Sequence, residues 1–338
     1  MSVIKVNNIT NETGTAGPVF AGITTISSTG FVTLPAGPEE YRGGRGRGVF
    51  VPGAPTTTNT IEFITISTAS NATDFGDLST GRFNCATFSS SVRGIFSGGE
   101  SLPAGGTTNV IDFISISSTG NAFDFGDLIT SRFYPNGFGS STRGLTAGGE
   151  SSSSGNTSSI EFTTIASLGN ASNFGNLTLA RQRASGCSSP TRGIYAGGNT
   201  PAVQNIIEFV TIATTGDAID FGDLTVARFN VGSCSNTIRG VFAGGLDPSL
   251  NGTIDYITIA SRGDAQDFGD LSETRRGVGA ASSPIRGVFT CGLGSPTFTN
   301  TIDFITFATI GNAVDFGDAR TAAGDGCGLS DAHGGIGD

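Results

Sequence analysis

The sequence predicts an all-β protein: six four-stranded sheets packed radially into a closed β-propeller, preceded by an extended N-terminal β arm. Three observations carry that expectation. A landmark, Asp-Phe-Gly-Asp or a near copy, recurs with its aromatic ring at Phe75, Phe125, Phe174, Phe221, Phe268 and Phe316, every 47 to 50 residues. A second landmark, Arg-Gly, keeps step at Arg47, Arg93, Arg143, Arg192, Arg239 and Arg286 and ends in Gly-Gly in four of its six copies. After it comes a β-branched and aromatic run bounded by polar residues, and no segment shows helical periodicity over three turns. Repetition at this period signals an array of supersecondary units.

Each unit supplies four short strands. The first is the Ser/Gly/Ala-rich stretch ahead of Arg-Gly, at 83–92, 133–142, 182–191, 229–238 and 276–285. The second is Arg-Gly with its followers, the third is a run such as TIDYITIA (253–260), and the fourth surrounds Phe-Gly-Asp-Leu. Ile254, Tyr256 and Thr258 face one way in the third strand; Asp255, Ile257 and Ile259 face the other. A sheet apolar on both faces needs a neighbour on each side, which radial packing provides. Ahead of Arg47 the sequence is EEYRGGRG, too short and charged for a first strand. GDGCGLSDAH (324–333), by contrast, follows Phe316 at the repeat interval. The C-terminal strand is therefore expected to complete the blade that Arg47 opens, giving six blades and no open edge. Seven blades, with 17–35 as a degenerate one, is the alternative. The domains so read are an arm, 1–36, for docking or oligomerisation, and the propeller, 37–338.

Composition excludes several function classes. Glycine numbers 53 of 338 residues, and apolar content is 36% with 14% charged, which suits short strands and many turns. A net charge of −10 argues against nucleic acid or an anionic membrane as partner. No apolar run of 18 residues or secretory leader is visible. The five cysteines are odd in number and lack metal-type spacing. Cys187 and Cys234 each stand five residues before a repeat arginine, as buried fillers of equivalent strand positions.

Asp74-Phe75-Gly76 matches the magnesium-binding tripeptide of protein kinases, but six copies mean architecture, and Lys5 is the only lysine. Twelve of 17 arginines read as repeat members: the six of Arg-Gly, and Arg82, Arg132, Arg181, Arg228, Arg275 and Arg320 after the Phe-Gly-Asp turn. Acids recur in step, at Glu62, Asp112, Glu161, Glu208, Asp255 and Asp303 on the third strand and at Asp77, Asp127, Asp223, Asp270 and Asp318 in the turn. One ion pair or backbone-bonded arginine per blade is the expected use of these charges. An anion-binding ring at one end of the channel is the functional alternative. Calcium in the turns is disfavoured, because Asn173 and Asn176 replace both acids in one copy. His333 is the only histidine, near a C-terminus expected to fray and level with the repeat's arginine, so no Ser-His, Cys-His or histidine-rich metal site can form. The expectation is a non-enzyme with no catalytic residue, metal or cofactor. Loops after the diglycine (100–108, 150–158, 199–204, 246–252 and 293–299) vary in length and content; they are the natural place for a binding surface, with unselected solvent-facing loops as the alternative.

These residues resemble a known repeat. A strand ending in Gly-Gly, a variable loop, a strand with an acid, then an aromatic and a trailing arginine is similar to the Kelch repeat over residues 42–333. Tryptophan is absent, Phe of Asp-Phe-Gly-Asp takes the aromatic place, and Pro52 and Cys291 each replace one glycine of the diglycine. Wording such as RGVFAGG and DFGDL further resembles propeller repeats in structural proteins of marine bacteriophages, cyanophages above all. The head of the chain, VIKVNNITNETGTAGPVFAGITTISSTGFVTLPAG (3–37), looks like an N-terminal segment shared by cyanophage virion proteins. The resemblance implies a structural virion protein of a tail, fibre or surface appendage, made in the host cytoplasm. Its arm would join other virion proteins or its own oligomer, and its loops would bind host-surface glycan or protein. The rival expectations are an intracellular Kelch-like adaptor and, third, a propeller enzyme.

Overall fold

A computed structural model describes residues 46–55, 59–101 and 105–336. The expected arm at 1–36, and with it the stretch proposed for a seventh blade, lies outside the described residues. The rest forms six four-stranded antiparallel blades without α-helix among the described residues. Blade 2 is typical, with Ala86–Ser89 innermost, then Arg93–Ser97, Thr108–Ser115 and Phe123–Arg132. Blades 3 to 6 open with Asn136–Gly139, Ser185–Ser188, Gly232–Ser235 and Gly279–Ser282. Blade 1 joins Arg47–Val51, Thr60–Thr65 and Thr73–Asp77 to an innermost strand from the other end of the chain, Cys327–Ser330. The closing register runs Gly48 to Ser330, Val49 to Leu329, Phe50 to Gly328 and Val51 to Cys327. That innermost strand neighbours those of both blade 2 and blade 6, so the ring closes at six.

The landmarks explain themselves as packing. Phe75 sits at a β-bulge: Ile61 pairs with Gly76 and Glu62 with Asp74, leaving the ring unopposed. The same shift recurs in every blade. Phe75 then meets Phe63 edge-on at 5.9 Å, with Arg47 stacked 4.6 Å from the Phe63 ring, and each blade repeats this triple. The glycine of Arg-Gly is needed for close approach. A Cβ on Gly94 would lie 2.7 Å from Leu329 of the preceding blade, and one on Gly240 would lie 2.8 Å from Cys187 Sγ. Cys187 and Cys234 are thus buried fillers at one inner-strand position, and all five cysteines are unpaired and buried.

The inner strands are shorter than the ten residues expected. Asn84 has φ of 53°, which breaks the strand before Ala86, and Ser90 Oγ accepts from Arg93 N–H (3.1 Å), turning the chain after Ser89. The six strands are stitched by hydroxyls. Ser89, Ser188, Ser235, Ser282 and Ser330 each donate to the carbonyl at the same position of the preceding blade, over 2.5 to 2.8 Å.

Candidate functional site

Most of the recurring charge is consumed inside the ring. Arg-Gly guanidiniums donate to carbonyls of the following blade: Arg47 Nη1 to Ile116 O (2.8 Å), Arg143 to Ile212 O (2.9 Å), Arg286 to Ser67 O (2.8 Å), with Arg93, Arg192 and Arg239 doing the same. Five trailing arginines form fully buried ion pairs with the acid of the third strand. These are Arg82–Asp112 (3.1 Å), Arg132–Glu161, Arg181–Glu208, Arg228–Asp255 (3.0 Å) and Arg275–Asp303 (3.0 Å). In each pair the carboxylate also accepts a backbone N–H, as from Ser79 to Asp112, so a buried charge is both paired and hydrogen-bonded.

Among the described residues the sixth buried pair is absent, which corrects the expectation for Arg320. The five buried arginines stand seven residues after their Phe; that place in the last copy is Ala323, fully buried. Arg320 stands four after and is half exposed, bonded to Asp74 at 2.6 Å. Buried Glu62 keeps only the Arg320 backbone N–H on Oε2 (3.1 Å) in place of a guanidinium. Burial pushes its carboxyl above the ordinary range, and Arg320 pulls it back only in part. Cys291 stands where four other copies have the first glycine of Gly-Gly and packs with Ala319 and Ala323.

The turn residues weighed for calcium serve as clasps between blades. Asn121 Oδ1 accepts from Asp77 N–H (3.1 Å), Asn170 from Asp127 (3.0 Å), Asp217 from Asn176 (2.8 Å) and Asn71 from Asp318 (3.0 Å). Among the described residues no three His, Cys, Asp or Glu side chains gather into a group that could hold a metal.

His333 is not on a frayed tail. It stands one residue short of the Arg-Gly arginine position, and its segment lies across the base of the channel. In blade 3 the stitching serine is replaced by Gly139, so Ser89 O receives no hydroxyl from that position. His333 Nε2 donates to it instead (3.0 Å), while Nδ1 accepts from Gly335 N–H (3.0 Å). Gly334 N–H donates to Ser235 O (2.8 Å). Burial holds the imidazole down at about 4, and the N–H aimed at Nδ1 leaves a second proton no room.

At the other end the inner strands start from one ring of six equivalent residues: Asn84, Tyr134, Arg183, Asn230, Gly277 and Asp325. All are left-handed, with φ between 48° and 65°. Backbone N–H groups link them around the ring, as from Asn230 to Arg183 O (2.9 Å), Gly277 to Asn230 O (2.8 Å) and Asp325 to Gly277 O (2.8 Å). Their backbones match, and their side chains do not. They line a channel cavity of about 120 Å³, capped at the base by His333. The Arg183 guanidinium lies 4.1 Å from the Tyr134 ring centre, and Asn230 Nδ2 donates to Asp325 Oδ1 (2.9 Å). Burial raises the Asp325 carboxyl, against the pull of Arg276 and Arg183. Glu100, at the rim, is raised by burial and by Asp325. The variable loops stand at this same end, bridged to the strand connectors at Glu150–Phe133, Asn199–Gln182, Leu246–Phe229 and Leu293–Arg276.

Sequence reading found the loops but not the mouth ring. Its signal is the column nine residues after each repeat phenylalanine, filled by Asn, Tyr, Arg, Asn, Gly and Asp amid otherwise repetitive sequence. No known protein family matches the chain, and no curated protein does.

Proposed function

We propose that this chain is a structural phage protein, carried on the particle by its N-terminal arm, that displays the propeller for recognition by its loop-bearing face. The observation that supports recognition there is the division of labour among the residues. Repeat charges are spent on struts between and within blades, whereas the loops and the mouth ring differ from blade to blade. A rigid, regular scaffold presenting one irregular face is the arrangement in which binding residues are placed. The virion setting draws on the resemblance of residues 3–37 and of the repeat wording. A non-enzymatic role draws on the employment of the groups: both His333 nitrogens and five third-strand carboxylates have structural partners.

The rival, a Kelch-like adaptor taking a peptide at the channel end, draws on the blind cavity. At about 120 Å³ that cavity falls below the roughly 300–1,000 Å³ of ordinary ligand clefts, which favours a smaller guest. Mass spectrometry of purified particles decides between the settings. The chain is expected among the particle proteins at a fixed ratio to the major structural ones; absence from them sinks the virion role.

A further inference from the structure

We propose that the channel mouth binds the carboxylate of a small polar molecule, gripped by Arg183 and Asn84, whose opposite end offers hydrogen-bond donors to Asp325. This goes beyond display: binding by the purified chain is decided whether or not the chain rides on a particle.

The first ground is a cation in no close ion pair, whose charge Asp325 and Glu100 feel only from a distance. Arg183 belongs to no repeat column of arginines, and among the described residues no carboxylate lies within ion-pairing distance of it. Its guanidinium lies over the Tyr134 ring, and its buried Nε has no acceptor. Asn84 Nδ2 is likewise buried without an acceptor. Two residues with unpartnered buried donors line one cavity and ask for an acceptor-rich guest, and a planar guanidinium fits a carboxylate by two parallel bonds.

The second ground is polarity across the ring. Arg183 opens blade 4, and Asp325 opens the innermost strand of blade 1, diametrically opposite in a ring of six. Asp325 spends one oxygen on Asn230 and retains acceptor capacity for an ammonium or hydroxyl. Positive and negative ends across so small a cavity suit a molecule with a carboxylate at one end and donors at the other. An acidic monosaccharide and an amino acid share that chemistry.

The third ground is the backbone. Six left-handed residues, linked N–H to carbonyl, hold the side chains on a fixed frame, so identity at each position can change without moving the frame. Asn already stands at two of the six, so Arg183→Asn and Asp325→Asn place a residue that this conformation accepts.

Titration calorimetry on the full chain tests the site, with D-glucuronate and L-glutamate as probes and glucose and L-glutaminamide, in which both carboxyls are amides, as counterparts without a carboxylate. One of the two carboxylates should saturate below about 10 mM, with its carboxylate-free counterpart at least roughly 10-fold weaker. Arg183→Asn should weaken that carboxylate by roughly 10-fold or more while melting within about 2 °C of the parent. Asp325→Asn separates the sources: glutamate should lose roughly 10-fold with its ammonium partner, glucuronate only about 2–3-fold. Arg183→Lys, which keeps the charge and loses the fork, serves as the second variant and should also weaken binding. The proposal is overturned if neither carboxylate saturates, if glucose or L-glutaminamide binds as tightly as its acid, or if a folded Arg183 variant binds as the parent does.

Discussion

Glu62 and Asp255 occupy the same position in two blades and face opposite circumstances. Asp255 holds Arg228 at 3.0 Å with neither side chain exposed; removing the arginine strands a buried carboxylate. Arg228→Ala is expected to cost about 3–5 kcal/mol in denaturant unfolding. Glu62 already lives without an arginine, and its carboxyl is raised by burial from an ordinary value of 4.5. A raised carboxyl stabilises fully below its unfolded value, and that contribution is lost as pH rises through the folded one. Glu62→Gln, which still accepts the Arg320 N–H, should match the parent at pH 4 and melt at or above it at pH 8. A variant markedly less stable at pH 8 would mean that Glu62 is held as a carboxylate. His333 has the opposite sign. Its folded value of about 4 lies below the ordinary 6.5, so its contribution is whole above pH 6.5 and is lost as pH falls toward 4. Partial exposure of the ring brings that loss to on the order of 2–3 kcal/mol. His333→Gln should flatten the stability profile across that window, read as the difference in melting temperature from the parent.

At the scale of the strand, the ring is tightened by glycines without side-chain room. A methyl on Gly144 would overlap the ring of Phe88, whereas one on Gly48 would meet Ala281 Cβ at 3.2 Å. Gly144→Ala should therefore cost about 2 kcal/mol and Gly48→Ala under about 1 kcal/mol. Equal costs would show that the inner-strand side chain of the preceding blade does not set the spacing. These elements were legible in the sequence because each landmark is repeated six times, so strand order and closure follow from intervals alone. What escaped is what the repeat does not repeat. Arg320 was read as the sixth trailing arginine from its nearness to Asp318, while the chemistry depends on its offset from Phe316, where only Ala323 has the right value. The mouth ring lies in the connectors before the inner strands, where a left-handed backbone tolerates many side chains, so no pattern of residue type marks it. His333 looked terminal because its partners, Ser89 and Gly335, are supplied by a distant strand and by the local turn.

The described residues form a ring closed in one blade, where Arg47–Val51 pairs with Cys327–Ser330. Removing 324–338 takes away the innermost strand of blade 1 and exposes the edges of Arg47–Val51 and of its neighbours. That truncation should fail to give a monomer with a cooperative melt. Removing only 332–338 leaves the strand and takes the cap, so a folded but less stable ring is expected. All the strands described in the six blades come from residues 47–330, and residues 1–36 are assigned to docking. The decisive measurement is incorporation of a chain lacking residues 2–36 into particles, scored by quantitative mass spectrometry beside the full chain. Its purified form must first show a cooperative melt as a monomer. The account predicts a folded propeller that is missing from the particles. A truncated chain that cannot fold, or one that folds and is incorporated at the parent's level, would contradict it.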